Sequence, residues 1–128
     1  MPDLEQLIQA AVKVREQAYA PYSKFSVGAA VLVDDGSIFV GCNVENASYG
    51  LAICAERNAI TAAVAAGKQN FTTIAVAATP LASPCGACRQ FIFEFGDDIQ
   101  IISVDSANPS LRNQWTSKDL LPNGFRLK

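Results

Sequence analysis

Three cysteines and one glutamate carry the chemistry this sequence can offer, and their spacing says what kind. In "SPCGACRQ", Cys85 and Cys88 are three apart where a helix-forming run begins, which turns both sulfurs to one face. Cys54 opens a second such run, "CAERNA", with Glu56 two positions on. Three thiolates gathered from two helix starts can hold a zinc ion and leave one corner of its tetrahedron open, the feature that separates a catalytic zinc from a structural one. The chain contains no histidine, so the usual neutral-pH proton shuttle is missing. A carboxylate beside a metal-bound water can take a proton and return it elsewhere, and Glu56 is the candidate.

Charge and geometry set conditions on this arrangement. Zinc with three thiolates carries about −1, and a bound hydroxide brings it to about −2, so the site needs compensation. Each helix N-terminus offers roughly half a positive charge and lowers a thiol pKa. Arg57 and Arg89 flank the proposed ligands and are expected to donate hydrogen bonds to the sulfurs. On a regular helix, residues two apart point about 200° from each other. Cys54 is therefore expected in the first turn or just before it, where the path is less regular.

Other readings of the same residues stand beside this one. A Cys-x-x-Cys alone also fits a redox pair. Cys42 as a fourth ligand would close a structural zinc site; as a small apolar residue of a strand it would simply be buried. Glu56 alone would be a helix-start acid placed for the macrodipole.

The elements that must position these groups follow from the apolar pattern. Leu4, Leu7, Ile8, Ala11, Val12 and Val14 form a helical stripe over residues 3–19, ended by the turn residues "APYSKF". "SVGAAVLV" (26–33) and "IFVGCNVEN" (38–46), joined by "DDGS", predict a strand hairpin. "CAERNAITAAVAAGK" predicts a helix stopping at Gly67, "TTIAVAAT" a third strand, and "PCGACRQFIFEF" a helix opened by proline. "IQIISVD" predicts a fourth strand, "LRNQW" a weak fifth, and "TSKDLL" a short capped turn of helix.

Strand and helix alternate from residue 38 to 104, which predicts right-handed crossovers and parallel pairing there. "DSANPS" is too short for a crossover, so the last strand should return antiparallel. The expectation is an α/β fold: a three-layer α/β/α sandwich around a five-stranded mixed sheet, with residues 1–128 as a single domain.

Composition narrows the class. At 128 residues the chain is one domain on length and buries roughly two-thirds of its unfolded surface. Half of its residues are hydrophobic and 17% charged, with a net charge of −2 and scattered basic residues. A polyanionic partner needs a basic face, so nucleic acid is not expected. The opening "MPDLEQLIQAAVKV" carries acids where a signal peptide is basic, and "AITAAVAAG" is too short to span a bilayer. The expectation is a cytoplasmic protein with no membrane partner, in which cysteines serve as ligands or buried thiols.

At "YAPYSKFSVGAAV", "GCNVENASYG", "CAERNAI", "SPCGACRQ" and "LLPNGF" the chain resembles the zinc-dependent cytidine deaminases, in the small form that acts on free nucleosides. The resemblance covers nearly the whole chain. It implies Zn²⁺ held by Cys54, Cys85 and Cys88, with Glu56 as proton shuttle and Arg57 stabilising the thiolates. Zinc deaminases with three cysteine ligands and a non-ligand glutamate are an established pattern. Asn43 and Glu45 resemble the pair that holds the sugar hydroxyl, and as i and i+2 of a strand they share a face. Phe25 resembles an aromatic wall for the base, and the backbone of Ala55 and Ser83 the groups that hold the pyrimidine edges. Phe125 resembles the aromatic that reaches a neighbouring subunit's site, which implies a homotetramer.

The implied reaction is hydrolytic deamination of cytidine and 2′-deoxycytidine in pyrimidine salvage, by attack of a zinc-bound hydroxide on C4. The stretch "AATPLASPC" (77–85) is shorter than the usual loop and lacks its acid, and Asn58 replaces a usual threonine. Two alternatives remain at this point. Blasticidin S deaminases share the Cys-Ala-Glu and Pro-Cys-x-x-Cys pattern, although "ENASYG" and "PYSKFSVG" look like the nucleoside enzymes. A non-catalytic zinc module would have its metal closed by Cys42.

Overall fold

A computed structural model describes residues 1–127. Helix α1 (Leu4–Val14) begins at Asp3, whose carboxylate accepts from the Gln6 N–H while the Gln6 side chain accepts from the Asp3 N–H. This reciprocal cap satisfies two of the helix's orphan donors. Strands β1 (Gly28–Val33) and β2 (Ile38–Cys42) form the expected hairpin. Helix α2 (Ala55–Ala65), strand β3 (Phe71–Ala78), helix α3 (Gly86–Phe93) and strand β4 (Gln100–Asp105) follow in alternation. Strand β5 (Arg112–Thr116) and the short helix α4 (Ser117–Leu120) complete the order.

The sheet has five strands in the order β2-β1-β3-β4-β5. β3 and β4 pair in parallel and β5 returns antiparallel, both as expected. The pairing expected around α2 differs. β2 and β3 run in the same direction but do not touch, because β1 lies between them and pairs antiparallel with both. The hairpin turn fixes β1 beside β2, and the fully buried sequence of β1 needs a neighbour on its other edge too. The second strand also stops at Cys42 rather than Asn46. Beyond it Val44 bridges to Tyr19 and Ile53 instead of β1.

Both faces of the sheet are covered. One carries Ala29, Val31, Ile74, Val76 and Ile101 against Ala59, Ile60 and Ala63 of α2, Ile92 of α3 and Leu120 of α4. The other carries Ala30, Leu32, Ala75, Ala77, Ile102 and Val104 against Leu7, Ile8 and Ala11 of α1. Each fully buried isoleucine or leucine contributes about 1.5–3 kcal/mol relative to exposure. Among the described residues no helix is long and apolar enough to cross a membrane.

The consequence for function lies at one edge. β2, β3 and β4 share a direction, so their carboxyl ends gather together, and the helices that follow β2 and β3 start there. Crevices at that edge of an α/β sheet are where ligands bind. Gly41 sets the distance of α2: a Cβ there would lie 2.4 Å from the Ala59 nitrogen and 2.8 Å from the Ala55 carbonyl oxygen. Only a glycine lets the helix backbone lie directly on β2.

Candidate active site

Cys54 is the residue just before α2, with φ −72° and ψ 155°, and Ala55 is the first helical residue. The geometric condition on Cys54 and Glu56 is met, because the extended backbone of Cys54 frees its side chain from the helical direction. Cys85 occupies the same position before α3, with φ −67° and ψ 168°, and its sulfur accepts from the Cys88 N–H at 3.4 Å. Two cysteines thus stand at the N-cap positions of two helices, with only Cys85 capping through its sulfur, and Cys88 adds a third sulfur from the first turn of α3.

The three sulfurs lie within 4.8 Å of one another, and Cys54 and Cys85 are 3.7 Å apart. Tetrahedral zinc with sulfurs at about 2.3 Å sets them about 3.8 Å apart, so the trio fits the ion. Cys42 is not in the cluster. It sits half-buried at the end of β2 rather than in the core, with its carbonyl accepting from the Asn58 amide at 2.8 Å. No fourth thiol closes the group.

Charge is distributed unevenly over the trio. A hydrogen bond from Cys88, with one from Arg57, holds the Cys54 thiol down to about 5. Cys88, the donor in that pairing and itself buried, is pushed up. The Arg57 Nη2 donates to the Cys54 sulfur at 3.6 Å and to the Ala52 carbonyl at 3.5 Å, and its own pKa rises because of the thiolate.

Arg89 corrects the expectation from sequence. It donates to no sulfur but to the Pro84 carbonyl at 2.8 Å, the Leu120 carbonyl at 3.2 Å and the Ser83 hydroxyl at 3.3 Å. Its guanidinium ties the segment entering α3 to the end of α4. From the sheet side the Ser103 hydroxyl holds the same segment through the Ala82 carbonyl.

Glu56 is 5% exposed, and burial raises its pKa, with the Cys54 thiolate adding to the effect. A carboxyl that holds its proton more firmly than usual suits a group that must both accept and donate. Glu56 lines a cavity of about 210 Å³ together with Cys54, Cys85, Phe25 and Asn43. Ala55 and Ser83 line it as well. Val27, Val76 and Ala82 complete the wall and were not singled out from sequence. Their apolar runs marked them as core, and nothing local shows that a strand end opens into a crevice.

Two of the expected residues do other work in this structure. The Asn43 side chain accepts from the Val27 N–H at 2.9 Å and donates to the Phe25 carbonyl at 2.8 Å, so it fixes the segment carrying Phe25. Glu45 accepts from the Tyr22 N–H at 2.9 Å, the Ser23 N–H at 3.2 Å and the Ser23 hydroxyl, which keeps its carboxylate below the usual range. It lines a second cavity of about 360 Å³ with Tyr22, Ser23, Asn46, Tyr49 and Ala52. Phe125 lines neither cavity and is 67% exposed.

Residues 1–104 match the family model described as the cytidine and deoxycytidylate deaminase zinc-binding region. The chain is 46% identical over 126 residues to the cytidine deaminase of Sporosarcina psychrophila, covering 96% of this chain and 91% of that protein. In structure it is similar to the cytidine deaminase of Burkholderia pseudomallei, with a TM-score of 0.91, 45% identity, and 97% and 100% of the two chains covered. The cytidine deaminase of Mycobacterium tuberculosis gives a TM-score of 0.84 at 38% identity, with 99% and 100% covered.

Proposed function

The chain belongs to the cytidine and deoxycytidylate deaminase family, and on that premise we propose that it hydrolyses cytidine and 2′-deoxycytidine to uridine and 2′-deoxyuridine with release of ammonia. The observation that carries this reading is a buried carboxyl lining one small cavity with sulfurs of a trio spaced for zinc. Zinc, when bound by Cys54, Cys85 and Cys88, supplies a water acidic enough to serve as nucleophile near neutral pH. Glu56 takes a proton from the attacking water and delivers it to N3 of the ring. It then carries a proton to the amino nitrogen as the C4–N4 bond breaks and ammonia leaves.

The remaining residues bind and orient. Phe25 walls the base, while the backbone of Ala55 and Ser83 meets the carbonyl and amino edges of the pyrimidine. The Asn43 amide has one N–H and one lone pair beyond its two bonds to the backbone. With the ionised Glu45 it can therefore still grip a sugar hydroxyl. Arg57 steadies the Cys54 thiolate, a partner contact of the kind that tunes metal affinity.

The chain acts as one domain, in the cytoplasm, and as a homotetramer. Self-association is supported by large apolar side chains left in solvent, among them Tyr49 at 81%, Leu51 at 64% and Phe125 at 67% exposure. Phe125 is the group that reaches a neighbouring copy's base. Sedimentation equilibrium at the mass of four chains is the expected result.

The deciding experiment follows the pyrimidine absorbance change on cytidine with zinc-replete and chelated protein. Turnover is expected before chelation, abolished after it and restored by added zinc. Equal turnover by the stripped protein contradicts the reading. Ammonia release from blasticidin S but not cytidine would move the activity elsewhere in the superfamily.

A further inference from the structure

We propose that Arg126 is a positioning residue for substrate binding: it clasps the carboxyl-terminal segment to α3 so that Phe125 is held outward as a preset wall for a second copy's base. This rests on the reading of Phe125 given above.

The segment after α4 is pinned on both sides of Phe125. On one side, the Asn123 backbone is left-handed at φ 59°, and Gly124 lies so close to α3 that a Cβ would come 3.0 Å from the Phe93 ring. On the other side, the Arg126 Nε donates to the Phe93 carbonyl at 2.8 Å. Its guanidinium lies 4.1 Å from the centre of the Phe93 ring and pairs with Asp97. The carbonyl of Phe125 itself accepts from the Gln90 side chain at 3.3 Å.

Arg126 thus uses one side chain three ways, as a cap on a last-turn helix carbonyl, a cation over an aromatic face and an ion pair. A short segment outside any helix or strand is ordinarily loose, because ordering it costs conformational entropy. Here four contacts order it, yet the large apolar side chain at its centre stays 67% exposed. A clasp that served only the fold would bury that ring. Every contact instead fixes the backbone of Phe125 and leaves the ring free to meet something outside. Pre-ordering the ring lowers the cost of binding and adds no contact of its own.

Five zinc-loaded proteins test this: the parent, Phe125→Ala, Arg126→Ala, the double variant and, as the conservative control, Arg126→Lys. Zinc content and sedimentation are checked for each. Phe125→Ala is expected to raise KM for cytidine about tenfold, the scale of losing one base–aromatic stack, and to lower kcat less. Arg126→Ala is expected to raise KM roughly threefold, and to add nothing once Phe125 is gone, since it acts through that ring. Arg126→Lys keeps the charge but not the fork, so its KM should fall between parent and Arg126→Ala.

A merely structural cap would leave KM at the parent value even if the melting temperature fell, or would add its effect independently to that of Phe125→Ala; either result overturns the clasp while leaving the Phe125 reading intact. If Phe125→Ala itself leaves KM unchanged, the underlying reading fails and the clasp with it.

Discussion

At the metal end of the cavity, Cys54, Cys85, Cys88 and Glu56 sit at or just inside the starts of two helices whose inner faces are in the core. The outer end is not part of that cavity: Glu45 and Tyr49 line a second one, Phe125 lines neither, and all three sit on loop or 3₁₀ segments outside the sheet, with the two aromatics 81% and 67% exposed. The metal end is complete in one chain, down to the arginine on its thiolate. The outer end has its polar groups turned on its own backbone and its rings turned to solvent. Chemistry that needs positions fixed to fractions of an ångström is placed on rigid elements. On the proposed function, recognition of a sugar and the rim of a base is left to segments that a ligand or another copy would complete.

The contrast breaks first at Glu56. Replacing it by Gln keeps shape and burial but removes the proton carrier, and should lower kcat about 10²–10⁴-fold with zinc retained. If kcat survives, the buried carboxyl is not the shuttle. Arg57→Ala should weaken zinc about 10–100-fold in competition with a chelator, because the Cys54 thiolate loses its donor. Unchanged affinity would mean that the helix N-termini compensate the thiolates without it.

At the outer end the effect should move from kcat and metal to KM. Glu45→Gln removes a charged acceptor that anchors Tyr22 and Ser23 and, on the proposed function, meets the sugar. Its KM should rise about tenfold, the scale of one charge-assisted hydrogen bond, with zinc content unaffected. A loss confined to kcat would erase the distinction between the two ends. Smallest of all is Cys42→Ser, for which zinc stoichiometry should not change, since Cys42 lies outside the sulfur trio.

How much of this was legible in the sequence divides along the same line. Cys-x-x-Cys after a proline and Cys-x-Glu before a helix-forming run are local patterns, and local geometry turned them into a site: helix starts, cap positions and a shared face are properties of a few consecutive residues. Five strands and their alternation with helices were legible for the same reason. The insertion of β1 between β2 and β3 was not, because pairing partners distant in sequence leave no mark in the period of either strand. The partners of Arg89 were hidden in the same way. Adjacency to Cys88 suggested a sulfur, whereas the carbonyl of Leu120, 31 residues away, took one of its donors. Asn43 and Glu45 were marked by type and spacing, yet their grip on residues 22–27 depends on where a loop some twenty residues earlier comes to rest.

X-ray absorption at the zinc edge of the loaded protein reads the account's centre without passing through activity. Three sulfurs at about 2.3 Å and one oxygen ligand are expected, with the same spectrum from Cys42→Ser. Four sulfurs, with one lost when Cys42 is replaced, would show a closed metal with no corner for water and contradict the account.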